Sequence, residues 1–174
     1  MSNLDIASYN RQGKVFVAAN VSAKSVIAVT TAMTGVILHN PAGSGKKLLI
    51  VDAGWVYTTA AAALHNIGLA LAAPHATAPA SLTAIGSGVL RADGSGTASE
   101  AVGRAYDAAT LPVAPVAVKW LWGAVATGGT NTYGPMTAYL DGSLILVPGA
   151  TLTFAAVTTT AVGMGSVSWI EVPV

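Results

Sequence analysis

The segment Gly43-Ser44-Gly45-Lys46-Lys47, set after an apolar run, is where residue type and spacing come nearest to phosphate chemistry. A phosphate-binding loop needs G-x-x-x-x-G-K-[ST]: glycines that let backbone amides cradle the phosphates, and a final hydroxyl for magnesium. Here Asn40 stands at the first glycine position and Lys47 replaces the hydroxyl residue. The following Leu48-Leu49-Ile50-Val51 favours a strand, which leaves no helix N-terminus to receive a phosphate. The segment reads as a hairpin turn.

Other chemistries fail on spacing. His39, His65 and His75 lack the i, i+2 or i, i+4 separation that puts two metal ligands on one face. Asp93, Asp107 and Asp141 read as scattered turn residues, and no D-x-D-x-D-G calcium loop occurs. G-x-S-x-G is absent, and Gly86-Ser87-Gly88 and Gly94-Ser95-Gly96 read as turns. A glycosidase needs two carboxylates flanking the bond. Asp93, Glu100 and Asp107 could approach one another, but nothing in the pattern places them in a cleft. Cysteine is absent, which excludes disulfides, thiolate catalysis and cysteine-held metal. The expectation is no catalytic, cofactor-binding or metal-binding residue, and a protein that is not an enzyme.

Trp120 and Trp122 fall two apart in Lys119-Trp120-Leu121-Trp122, so on a strand they share one face. Such a pair could stack on a sugar, though it more often fills a core or a subunit interface. Trp55 and Tyr57 repeat the spacing and carry the same choice.

The elements that must position these residues read as strands. Runs rich in Val, Ile, Thr and aromatics, punctuated by Gly and Pro, predict strands at 14–19, 25–31, 35–40, 47–58, 64–72, 113–124, 137–140, 143–147, 151–156 and 166–172. Asp141-Gly142 can adopt the positive φ values of a type I′ turn, which predicts a hairpin joining 137–140 to 143–147. Further turns fall at 40–45 and at Pro148-Gly149. Residues 73–110 read as long loops with a short helix near 99–106. The pattern predicts an all-β fold, a jelly roll or β-sandwich of about eight to ten antiparallel strands, with an extended N-terminal segment. Residues 1–34 are expected as an arm or edge strands, and 35–174 as the jelly-roll domain.

Hydrophobic residues make up 53% of the 174 and charged residues only 9%, against about 25% in ordinary globular domains. The two long uncharged stretches, 53–90 and 142–170, are broken by prolines, by His65, Asn66 and His75, or by Pro148-Gly149, so no membrane span is expected. Eight basic and seven acidic residues are scattered, and only Lys46-Lys47 are adjacent, which argues against nucleic acid binding. No secretory signal is read at the N-terminus. An exterior so poor in charge is expected to be covered by copies of the chain or by another protein.

Three segments carry a resemblance: Leu38-His39-Asn40-Pro41-Ala42-Gly43-Ser44-Gly45-Lys46-Lys47-Leu48-Leu49-Ile50, Leu146-Val147-Pro148-Gly149-Ala150-Thr151-Leu152, and Ser168-Trp169-Ile170-Glu171-Val172-Pro173. Together they resemble structural proteins of tailed bacteriophages, above all the small jelly-roll capsid decoration (cement) proteins. The likeness spans residues 35–174 and rests on turns and a terminal strand, so it carries over no binding residue. It implies a homotrimer on the outer capsid surface of the virion that bridges neighbouring major capsid proteins. The rival expectation is a head- or tail-fibre module that binds host glycan through the Trp120/Trp122 face. The capsid contact is expected in the N-terminal segment or in loops within 73–110.

Overall fold

The computed structural model describes residues 5–59, 65–124, 136–157 and 160–174, the side chains of residues 65 and 122–124 aside. Its described residues form twelve strands and a single short helix. In chain order these are α1 (Ile6–Arg11), β1 (Val15–Ala19), β2 (Lys24–Val26), β3 (Ala32–His39), β4 (Lys46–Tyr57), β5 (His65–Ala72), β6 (Ala80–Ala84), β7 (Leu90–Arg91), β8 (Arg104–Thr110), β9 (Val116–Ala124), β10 (Met136–Leu146), β11 (Thr151–Ala156) and β12 (Ala161–Pro173).

Two antiparallel sheets face each other, one ordered β10-β4-β12-β1-β7 with β2 also on β12, the other β6-β8-β3-β11-β5-β9. Without β2 and β6 to β8, the chain builds two four-stranded sheets, β1-β12-β4-β10 and β3-β11-β5-β9. The path crosses between them at almost every connection, and that order is a jelly roll. Strands β6, β7 and β8 extend the β1 and β3 edges.

The main core lies between the sheets, where Phe16, Val36, Leu38, Leu48, Ile50, Trp55, Ile67, Leu69, Leu152, Phe154 and Trp169 interdigitate. Trp55 packs 5.5 Å from Phe154, and Phe16 packs 6.0 Å from Trp169, measured between ring centroids. Glycines make room for these rings. A methyl group added at Gly163 would sit 2.6 Å from the Trp55 ring, and one at Gly165 3.0 Å from Phe154. β12 therefore starts at Ala161, five residues before the predicted start, because Gly163 and Gly165 are strand positions of close approach rather than turn residues. Likewise β3 runs back to Ala32 through Gly35, whose φ of 103° falls in an irregularity of the β3–β8 pairing between Thr34 and Ile37.

Part of the outward face of the second sheet is also buried. Met33, Ile37, Ala70, Ala72, Ala109 and Ala155 form it, with Leu111 from beyond β8 packed among them. β11 is accordingly buried at every residue. On the outward face of the first sheet, Val15, Val51 and Ile170 form a third cluster, with Ile6 and Tyr9 of α1 packed on it.

Several expectations are corrected. Asp141 and Gly142 do have positive φ, 46° and 75°, yet β10 continues through them as one strand. The pairing with β4 passes from Tyr139↔Asp52 to Leu144↔Ile50, so four residues bulge opposite one and no hairpin forms. The turn at 40–45 leads from β3 in one sheet to β4 in the other, as Pro148-Gly149 leads from β10 to β11; both are inter-sheet crossings. Residues 99–106 hold no helix, and residues 104–110 form β8. The described part of the N-terminal segment carries α1, β1, which lies between β12 and the two-residue β7, and β2, which pairs with β12 off the main path of the sheet.

Candidate functional site

The carboxylates considered for catalysis have separate structural partners. Asp107 lies on β8, not in a turn, and is buried. It accepts a hydrogen bond from Asn20 at 2.6 Å and pairs with Lys24 at 2.9 Å. Asn20 in turn bonds Gly165 of β12, so the cluster ties the two sheets together. Glu100 pairs with Arg91 at 2.5 Å, and this hydrogen bond and charge hold its carboxyl below the usual range. Asp93 caps its own turn by accepting from the Ser95 hydroxyl and amide, and these bonds lower its pKa as well. Asp93 and Glu100 thus meet around Arg91, while Asp107 belongs to another cluster.

The histidines are likewise apart. His39 ends β3, is 3% exposed and shares a hydrogen bond with the Thr151 hydroxyl at 2.9 Å. Burial pushes its pKa down. His75 is exposed and accepts from the Thr77 amide. The His65 side chain lies outside the described residues. Among the described residues, no group of three or more His, Asp or Glu side chains is placed to hold a metal. No described helix is long and apolar enough to cross a membrane.

Asn40, which stood where a phosphate loop needs glycine, staples the two inter-sheet crossings. Its side-chain amide donates to the carbonyls of Lys46 and Leu146, and its backbone bonds Gly149 and Ala150. A strand, β4, follows Gly45. Glu171 is a second staple. Its buried carboxylate accepts from the amides of Val102 and Gly103 at 2.8 and 2.9 Å, and pairs with Lys46 at 2.9 Å. The three segments that carry the phage resemblance therefore converge at one end of the sandwich.

Two features remain with no structural duty inside the chain. The first is an apolar edge. Strands β9 and β10 end their respective sheets and approach each other. Val116, Val118 and Trp120 on β9, with Tyr139, Ile145 and Val147 on and just after β10, account for half of the exposed large apolar side chains among the described residues. Tyr139 is 75% exposed and Trp120 50%. β9 carries irregularities opposite Ile67/Gly68 and Leu69/Ala70, and β10 carries the bulge already described. Bulged edges resist extension of the hydrogen-bonded ladder, so this surface offers side chains rather than backbone. The pairing of β9 with β5 shifts register between Trp120 and Trp122; the Trp122 side chain, and with it the expected pair of rings, lies outside the described residues. Trp120 packs over Gly68, where an added methyl would lie 2.5 Å from the ring. Trp55 is in the core, edge-on to Tyr57 at 6.1 Å.

The second feature is a cavity of 580 Å³ lined by Arg11, Gln12, Gly13, Lys14, Phe16, Lys46, Arg91, Glu100, Glu171 and Pro173. Sequence reasoning missed it because its residues come from five separated segments. A local signal for α1 was present: Asp5 caps the helix by accepting from the Ser8 amide. Gly13, at φ 64°, closes the other end, with Gly13 and Lys14 amides bonded back to Asn10 and Tyr9.

Comparisons with protein-family models, with curated proteins and with solved structures found no match to this chain.

Proposed function

We propose that the protein is a viral structural protein, a capsid decoration or cement protein of a tailed bacteriophage. It acts not as an enzyme but by binding the outer surface of the assembled head and bridging major capsid proteins, with homotrimers as the binding unit. The observation that carries this reading is the apolar β9/β10 edge on a jelly roll whose exterior has few charges. Monomeric soluble proteins rarely leave large contiguous apolar patches open, and obligate interfaces are rich in them. A subunit that binds only the closed shell stabilises it by mass action. The half-exposed Trp120 favours a second reading, a fibre module that binds host glycan through an aromatic surface. Copy number on purified particles separates the two: a decoration protein is present in many copies over the head, a fibre module in few. In solution, light scattering should give about three times the 17.3 kDa chain mass. A stable monomer at high concentration would refute the decoration reading.

A further inference from the structure

The 580 Å³ cavity gathers half of the chain's eight basic residues, Arg11, Lys14, Lys46 and Arg91, with two of its seven acids, Glu100 and Glu171. In a chain otherwise so poor in charge, this concentration needs a cause. Both acids are already engaged. Glu171 is held by Lys46 and two backbone amides, and Glu100 by Arg91. The ion pairs therefore fix the walls and consume two of the four cations. Arg11 and Lys14 are the remainder. Both are exposed, neither side chain has a hydrogen-bond or ion-pair partner among the described residues, and the closed end of α1 delivers both to the cavity.

We propose that this cavity is a carboxylate-binding site in which Arg11 and Lys14 receive an acidic side chain of a partner protein. The volume lies in the range of small-ligand sites, about 300–1,000 Å³. With Asp93 standing beside Gly13 and Arg91 at the rim, four cations face three acids, a surplus that matches one carboxylate, and Phe16 and Pro173 supply apolar wall for the methylenes of a glutamate. A nucleic acid backbone fits poorly, because its run of phosphates would meet Glu100 on the same rim. The cavity also unites the N-terminal segment and the 73–110 region, each separately expected to hold the capsid contact. Naming the capsid as the source of the carboxylate rests on the proposed function; the carboxylate site itself does not.

The test uses the full chain, isotope-labelled, at low ionic strength, with three probes: glutarate, a capped glutamate-rich hexapeptide and a lysine-rich hexapeptide. The acidic probes should shift amide resonances at residues 11–16, 91 and 100, while the basic peptide leaves them in place. Arg11→Gln with Lys14→Gln should weaken binding by at least about tenfold, since it removes both charged donors to the carboxylate. Both side chains are solvent-exposed and unpartnered, so the pair of substitutions leaves the fold intact. Failure of both acidic probes to bind, or equal binding by the double variant, overturns the site. Peptide binding much tighter than glutarate supports a protein side chain, whereas glutarate binding as tightly overturns that source in favour of a free dicarboxylate. If the acidic peptide binds but the double variant still fills capsid shells normally, the site stands and the capsid assignment falls.

Discussion

His39 and Asn40 are adjacent in sequence and do different work at the same end of the molecule. Burial lowers the folded-state pKa of His39, with a weaker opposing effect from a hydrogen bond at Ala150. The folded chain thus resists a proton that the unfolded chain accepts near its ordinary value of about 6.5. Stability from this group is present above that pH and is lost as the pH falls through it. The urea midpoint should drop between pH 7.5 and 5, and His39→Gln should flatten the drop. A pH response unchanged by His39→Gln would count against this account. Asn40 is fully buried and its amide serves two carbonyls. Asn40→Ala leaves both carbonyls without their donor at a cost of about 2–3 kcal/mol. Asn40→Asp, which places a carboxylate against the same carbonyls, should cost more. Denaturant unfolding at fixed protein concentration measures both.

At the scale of elements, β10 shows how a correct local signal can have a different tertiary meaning. Asp-Gly supplies two positive-φ residues wherever it occurs, and a type I′ hairpin is one use of them. Here β4 is the partner on both sides of the dipeptide, so the same dihedrals make a bulge within one edge strand. Gly142→Ala should cost about 1 kcal/mol because a side chain is strained at its φ of 75°. Ser143→Ala, an exposed neighbour, should stay within about 0.5 kcal/mol. Equal effects at the two positions would remove the conformational argument. The other boundary errors share a cause. Gly35, Gly163 and Gly165 look like punctuation, but Gly35 serves a bulge and the other two clear space for core rings. α1 escaped notice because its apolar contribution is only Ile6 and Tyr9, too short a stripe to register as periodicity.

At the scale of the whole molecule, the unanswered surface is the β9/β10 edge. Its apolar side chains are exposed in the single chain, and bulges on both strands disfavour open-ended strand pairing. Side-chain packing between copies would bury Val116, Val118 and Trp120 and leave finite oligomers rather than fibres. Val118→Lys places a charge in the middle of that surface without touching the core. Light scattering should then show the proposed trimer dissociating to the single-chain mass with the thermal midpoint of the remaining fold little changed. An oligomer that survives both Val118→Lys and Trp120→Ala uses another surface.

The sequence alone determined what depends on neighbours along the chain: strand character from alternating and β-branched runs, the turns at 40–45 and Pro148-Gly149, and positive φ at Asp141-Gly142. It also determined the poverty of charge, which any fold would have to place on its exterior. Only the tertiary structure decided which sheet each strand joins, because hydrogen-bonded pairing between distant strands leaves no local mark. For the same reason it alone brought residues 11–14, 46, 91, 100 and 171 around one cavity, and made Asn40 and Glu171 the staples of one end.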